Sequence, residues 1–255
     1  MLAFFKPNRI VGLLFLILLS LASCKDKDES APMPVSQMPT DTITESDTTQ
    51  IQDTVFFRYL ALGDSYTIGT ALPDSSRNYP TQLVERLSED SLLEGTEPDV
   101  IAFGGWRTDQ LISAIEAADL TGEYELVSLL IGVNNQFQNR SDSVYAVEFE
   151  ELLNTAIAFA GNDTDRVFVL SIPDYGVTPF GGNNPDISAE IDLYNDINQD
   201  ITESYGVSYF NITEISRLAE NNLDLIAPDN LHPSGDMYEL WVIEILEDVK
   251  SKLYE

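Results

Sequence analysis

The chain has 255 residues, 44% of them hydrophobic and 10% aromatic, a composition that suits one substantial core with appendages and excludes fibrous and wholly disordered classes. Its 43 acidic against 13 basic side chains give a formal net charge of -30, which repels a phosphate backbone and excludes nucleic acid as a partner. With one Cys and one His, neither an intrachain disulfide nor a His/Cys metal site can be built, so no metal and no cofactor is expected.

At the start of the chain Lys6 and Arg9 precede an apolar run from Ile10 to Leu19 and then Leu21-Ala22-Ser23-Cys24, the order of a secretory signal. The run falls short of the roughly 20 residues that span a bilayer. Small residues before a lone Cys resemble the lipobox of bacterial lipoproteins. That resemblance implies that residues 1–23 are removed, that Cys24 carries lipid, and that the protein is exported and anchored at the outer membrane or cell surface. Lys25-Asp26-Lys27-Asp28-Glu29 is similar to the charged surface-export signal of lipoproteins in one Gram-negative group. From Lys25 to about Thr54 the chain is Ser, Thr, Pro, Gln and acid, too poor in large apolar residues to offset chain entropy. Residues 24–54 therefore read as a tether, with a typical reach of about 30 Å.

Residues 55–255 form the folded domain. Short apolar runs at Tyr59 to Leu62, Val100 to Phe103, Leu126 to Ile131, Arg166 to Ile172 and Val207 to Ile212 predict five buried strands. Between them Phe149, Leu152, Leu153, Ala156, Ile157 and Ala160 recur at helical spacing and stop at Gly161, and Ile187, Ile191, Tyr194 and Ile201 make a second stripe. Val242, Ile245, Leu246, Val249 and Leu253 predict a closing helix. Alternation of this kind predicts an α/β fold, a parallel sheet covered by helices on both faces.

In such a sheet ligands bind beyond the carboxyl ends of the strands, so the residues at each strand exit carry the functional reading. The first strand leads into Gly63-Asp64-Ser65, where a Ser at a strand-to-helix turn presents its hydroxyl at the sheet edge. The second leads into Gly104-Gly105-Trp106-Arg107, where glycine lets backbone N–H groups approach an oxyanion. The third leads into Gly132-Val133-Asn134-Asn135, whose amides can donate to charge on a carbonyl oxygen. The fourth opens the long loop Ser171 to Phe180, and Tyr175 and Phe180 are candidates to line an acyl or alcohol pocket. Before the last helix comes Asp229-Asn230-Leu231-His232. His232 is the single imidazole, so a neutral-pH base of the usual kind must be this residue, and a carboxylate three residues earlier can reach one ring nitrogen.

The four blocks, in this order and with Asp229 three residues before His232, resemble the SGNH (GDSL-type) hydrolases over about residues 57–254. The resemblance implies a three-layer α/β/α fold with a five-stranded parallel sheet and a flavodoxin-like strand order. It makes Ser65 the nucleophile, His232 the base and Asp229 its orienting carboxylate. The oxyanion hole would comprise the Ser65 N–H, the Gly105 N–H and the Asn134 amide, with Gly104 as the alternative glycine. Two departures stand out. Asn135 replaces the Asp usual in the third block, and Trp106-Arg107 follow the glycine of the second, which makes Trp106 a further candidate substrate contact.

No Gly-x-Ser-x-Gly elbow and no glycine-rich phosphate loop after the first strand occur, which disfavours the ordinary α/β-hydrolase and nucleotide-binding readings. The expectation is a monomeric serine esterase acting on a small-molecule or glycan ester, with a small acyl group such as acetyl on a carbohydrate as the first choice. A lysophospholipase or thioesterase is the runner-up, and a non-catalytic glycan-binding surface lipoprotein is the alternative from another class.

Overall fold

The computed structural model describes residues 53–254. The expected signal, Cys24 and almost all of the tether lie outside the described residues, among which no helix is long and apolar enough to cross a membrane.

The domain is built on β2 (Tyr59–Gly63), β4 (Asp99–Ala102), β5 (Leu126–Leu130), β6 (Val167–Leu170) and β7 (Ser208–Phe210). They form one five-stranded sheet in the order β4-β2-β5-β6-β7, every neighbouring pair parallel. Every residue of β2, β5 and β6 is buried, as continuous apolar runs covered on both faces require. Strands β5, β6 and β7 fall within their predicted runs, while β2 runs one residue past its run to Gly63 and β4 starts one residue before its run at Asp99. The fourth ends at Leu170, just beyond which the Ser171 N–H still donates to the Phe210 carbonyl at 3.0 Å and the Ser171 hydroxyl accepts from the N–H groups of Ile212 and Thr213 at 2.8 and 3.0 Å.

The helices are α1 (Ser65–Ile68), α2 (Tyr79–Leu87), α3 (Thr108–Ala117), α4 (Val133–Phe137), α5 (Asp142–Phe159), α6 (Pro185–Ser204), α7 (Thr213–Ser216) and α8 (Gly235–Lys252). Because βαβ crossovers are right-handed, reversing the direction of travel along the sheet moves the helix to the other face. The chain goes from β2 outward to β4 through α2, then back across β2 to β5, β6 and β7 through α3, α5 and α6. One layer therefore holds α2 with α8, which pack together, and the other holds α3, α5 and α6 in that contact order. The strand order is the flavodoxin-like one expected, and its reversal lies at β2, where a crevice must open beyond the strand ends.

Two features were not legible in the hydrophobic runs. A small parallel pair, β1 (Val55–Phe57) with β3 (Leu93–Gly95), stands apart from the main sheet. Helices α2 and α3 are only about three turns long, and α3 buries just Thr108, Leu111 and Ile115. The predicted stripe beginning at Phe149 extends back to Ser141, whose hydroxyl caps α5 by accepting from the Val144 N–H.

Candidate active site

The first block is shaped by close packing. A Cβ on Gly63 would lie 2.0 Å from Thr67 Oγ1 and 2.5 Å from the Leu130 carbonyl oxygen, so only glycine lets β2 end against β5 there. The chain then turns into α1 with Asp64 as its cap, the carboxylate accepting from the Tyr66 N–H at 3.0 Å. Ser65 follows as the first residue of the helix, 6% exposed and open to a cavity at the carboxyl end of the sheet.

Asp64 is fully buried, and its second carboxyl oxygen has no hydrogen-bond partner among the described residues. Burial pushes its pKa up to about 7, against the Tyr66 N–H and the nearby Asn134 amide, which favour the charged form. The Asn134 amide stands near the carboxyl, with no hydrogen bond joining the two among the described residues.

Across the cavity lies the loop before α8. It is closed by an antiparallel bridge between Ile226 and Pro233 and by the bonds Ala227 N–H to His232 O, 2.7 Å, and Ser234 N–H to Leu225 O, 2.9 Å. Within it Asp229 Oδ1 accepts from the Leu231 and His232 N–H groups, each at 3.0 Å, while Oδ2 lies 2.5 Å from His232 Nδ1. Partial burial opposes the charge on Asp229, but the imidazole and the two N–H groups outweigh it and hold the carboxyl below its usual range. The His232 ring meets Tyr66 edge-on, centroids 5.7 Å apart. Its other nitrogen has no hydrogen-bond partner among the described residues, and His232 lines the cavity together with Ser65. Ser65 Oγ makes no hydrogen bond to His232 among the described residues, which is common without substrate.

The second and third exits complete the wall. Gly105 takes φ +85°, a conformation that L side chains rarely adopt, whereas Gly104 has ordinary space around it. Neither glycine's N–H has an acceptor among the described residues, and both residues line the cavity. Asn134 lines it too, with Nδ2 donating one hydrogen to the Trp106 carbonyl at 3.0 Å and keeping the second. Asn135 is turned the other way. It is fully buried, accepts from the Thr108 N–H at 3.1 Å and donates to Thr108 Oγ1 at 2.6 Å. The Thr108 hydroxyl itself donates to Glu148, so the neighbour of Asn134 must supply a hydrogen, which explains an amide where the family pattern has a carboxylate.

Tyr175 and Phe180 are among the residues that line the cavity; Trp106 is not. The left-handed turn at Gly105 sends the indole against Phe103, ring centroids 5.6 Å apart, and onto the edge of the core, so Trp106 contributes its carbonyl rather than its side chain. Phe137 was missed. It lies one helical turn beyond Asn134 on α4, and that i, i+3 spacing could have pointed to it. It packs with Tyr175 and Phe180, centroids 6.2 and 6.3 Å away.

A serine and a hydrogen-bonded His–Asp pair opening on one cavity, with backbone N–H groups beside them that have no acceptor among the described residues, suit a hydrolase that acts on ester bonds. Comparison with known proteins agrees. The sequence pattern of the GDSL-like lipase/acylhydrolase family matches residues 61–240, and the chain belongs to that family. A search of the curated proteins finds no match. Among solved structures, a putative GDSL-like lipase from Parabacteroides merdae has TM-score 0.61 at 13% identity, with 77% of this chain and 96% of that one covered. An acetyl xylan esterase has TM-score 0.60 at 15% identity, covering 76% and 100%. The lipase/acylhydrolase from Enterococcus faecalis has TM-score 0.58 at 19% identity, covering 77% and 96%. At these identities the likeness is one of fold.

Proposed function

We propose that the protein is a serine esterase that works through an acyl-enzyme, with Ser65 as nucleophile, His232 as general base and Asp229 as the group that orients it. The observation that carries this reading is the 2.5 Å contact of Asp229 Oδ2 with His232 Nδ1 in a loop opening on the same cavity as Ser65. Ser65 Oγ attacks the ester carbonyl carbon while His232 Nε2 takes the hydroxyl proton. The carbonyl oxygen becomes an oxyanion and accepts from the Ser65 N–H, the Gly105 N–H and the free hydrogen of the Asn134 amide. The tetrahedral state collapses by breaking the bond to the alcohol oxygen, which receives the proton from His232. Water then attacks the acyl-Ser65 ester with His232 again as base, and the acid leaves with Ser65 restored. The charge kept on Asp229 stabilises the imidazolium formed in both halves.

Of the two substrate classes expected, acetyl esters of carbohydrate have an acetyl xylan esterase among the similar folds in their favour, and longer acyl esters have the aromatic lining of the cavity. Lipid attachment at Cys24, with display at the outer membrane or cell surface, belongs to the same proposal and rests on the order of residues from Lys6 to Cys24.

A fluorophosphonate probe tests the chemistry: Ser65 should be labelled in the wild type and not in His232→Ala, whose base is gone. A wild-type protein that resists the probe and cleaves no ester would reduce the domain to a binding module. For the anchor, Cys24→Ser should leave the protein unprocessed or released from membranes, and wild-type protein that is fully soluble with no mass added at Cys24 would remove it.

A further inference from the structure

We infer that Phe137, Tyr175 and Phe180 form an acyl subsite selective for neutral esters of apolar acids of medium chain length, an inference that rests on the esterase reading above. The three rings make one cluster, with centroids 6.2 to 6.4 Å apart, drawn from two segments, α4 and the loop after β6. Phe137 and Phe180 are 53% and 54% exposed, a large apolar surface that the protein leaves uncovered beside its reacting groups. The polar tip of the cluster is turned away, because the Tyr175 hydroxyl donates to Gln136 Oε1 at 2.9 Å and Gln136 Nε2 donates to Glu190 at 2.6 Å. The wall thus offers a sugar hydroxyl no partner.

Charge points the same way. Among the described residues no Asp, Glu, Lys or Arg lines the cavity, so neither a phosphate nor a carboxylate on the substrate would find a counter-ion there. The cavity volume is about 340 Å³. An apolar cavity of about 150 Å³ holds benzene, so there is room for an acyl chain of about six to ten carbons with the mouth left to water. The acyl group rather than the alcohol takes this wall for a chemical reason. His232 must protonate the departing alcohol and then activate a water in the same place, so the alcohol side has to stay open to solvent.

The test is kcat/KM of the full-length protein on p-nitrophenyl esters from acetate to dodecanoate, beside acetate esters of alcohols from ethanol to octanol and an acetylated xylo-oligosaccharide. Each buried methylene should raise kcat/KM about four-fold along the acyl series until the cavity fills at about eight carbons, with a much shallower rise along the alcohol series. Phe137→Ala should lower the octanoate-to-acetate ratio about ten-fold, and Phe137→Trp should move the optimum to shorter chains. Fastest turnover of acetate or of the acetylated oligosaccharide, a steeper rise along the alcohol series, or an optimum unmoved by Phe137→Trp would overturn the subsite while leaving the esterase intact. Absence of both ester turnover and Ser65 labelling would overturn the two together.

Discussion

The Phe180 N–H donates to the Asn230 carbonyl at 3.0 Å, so the loop that brings an aromatic wall to the cavity is bonded to the segment between Asp229 and His232. Asn230 holds φ +66°, and it is this left-handed turn that lets one carboxylate oxygen of Asp229 collect two N–H groups while the other meets the imidazole. Asn tolerates that conformation better than most residues. Replacing it with Ala should destabilise the domain by about 1 kcal/mol and lower kcat by loosening His232, whereas Asn230→Gly should stay close to wild type on both counts. Equal losses in the two variants, read by urea unfolding and steady-state rates, would show that the side chain matters and not the turn.

Asp64 gives a pH signature in stability. Its folded pKa of about 7 lies above the ordinary value of 3.8, so between these values the native state binds more protons than the unfolded chain and stability falls as pH rises. The stability present below about pH 4 is lost by about pH 7, a difference of roughly 4 kcal/mol as an upper bound. Asp64→Asn should therefore unfold at higher urea concentration than wild type at pH 8, and the two should converge toward pH 4. Parallel curves at all pH values would mean that the wild-type carboxyl does not change charge in this window.

Asp229 runs in the opposite sense. Its depressed folded pKa adds stability above its ordinary pKa that disappears as pH falls through the folded value. Asp229→Asn should weaken this acid-side loss and lower kcat by up to about 10⁴, because the amide no longer selects the imidazole tautomer or balances the imidazolium charge. An Asn variant with wild-type kcat at neutral pH would demote Asp229 to a loop residue.

Asn134 and Asn135 are adjacent and should behave differently. Asn134→Ala removes a donor needed most in the tetrahedral state, so kcat should drop about 10² to 10³ with KM nearly constant. Asn135→Asp places a carboxylate where the Thr108 hydroxyl, committed to Glu148, offers no hydrogen. That change should destabilise the fold by about 1 to 3 kcal/mol and leave kcat within a few-fold. A reversed pattern in kinetics and urea unfolding would exchange the two roles.

Gly105 is a test of the second block. At φ +85° any Cβ is strained although nothing lies within 4 Å of it. Gly105→Ala should therefore affect the loop carrying the N–H more than the packing, reducing kcat while stability falls by only about 1 kcal/mol. Gly104→Ala is the comparison, and a larger kinetic effect there would make Gly104 the oxyanion glycine.

By itself the sequence determined the sheet, its burial and the four exits, because buried parallel strands must be continuous apolar runs and an active site in such a sheet has to use the residues where those runs stop. Ser65 and Asn134 were legible as candidates for the same reason and His232 as the single imidazole of the chain, while the short spacing of Asp229 to His232 already confined those two to one loop. Tertiary structure alone decided what depends on distant chain segments meeting. The turn at Gly105 removed Trp106 from the cavity, packing of α4 against the loop after β6 brought Phe137 to Tyr175 and Phe180, and the commitment of Thr108 to Glu148 made Asn135 an amide. The unpaired oxygen of Asp64 belongs to this second group, since nothing in Gly63-Asp64-Ser65 reveals that β2 and its neighbours bury that carboxyl completely.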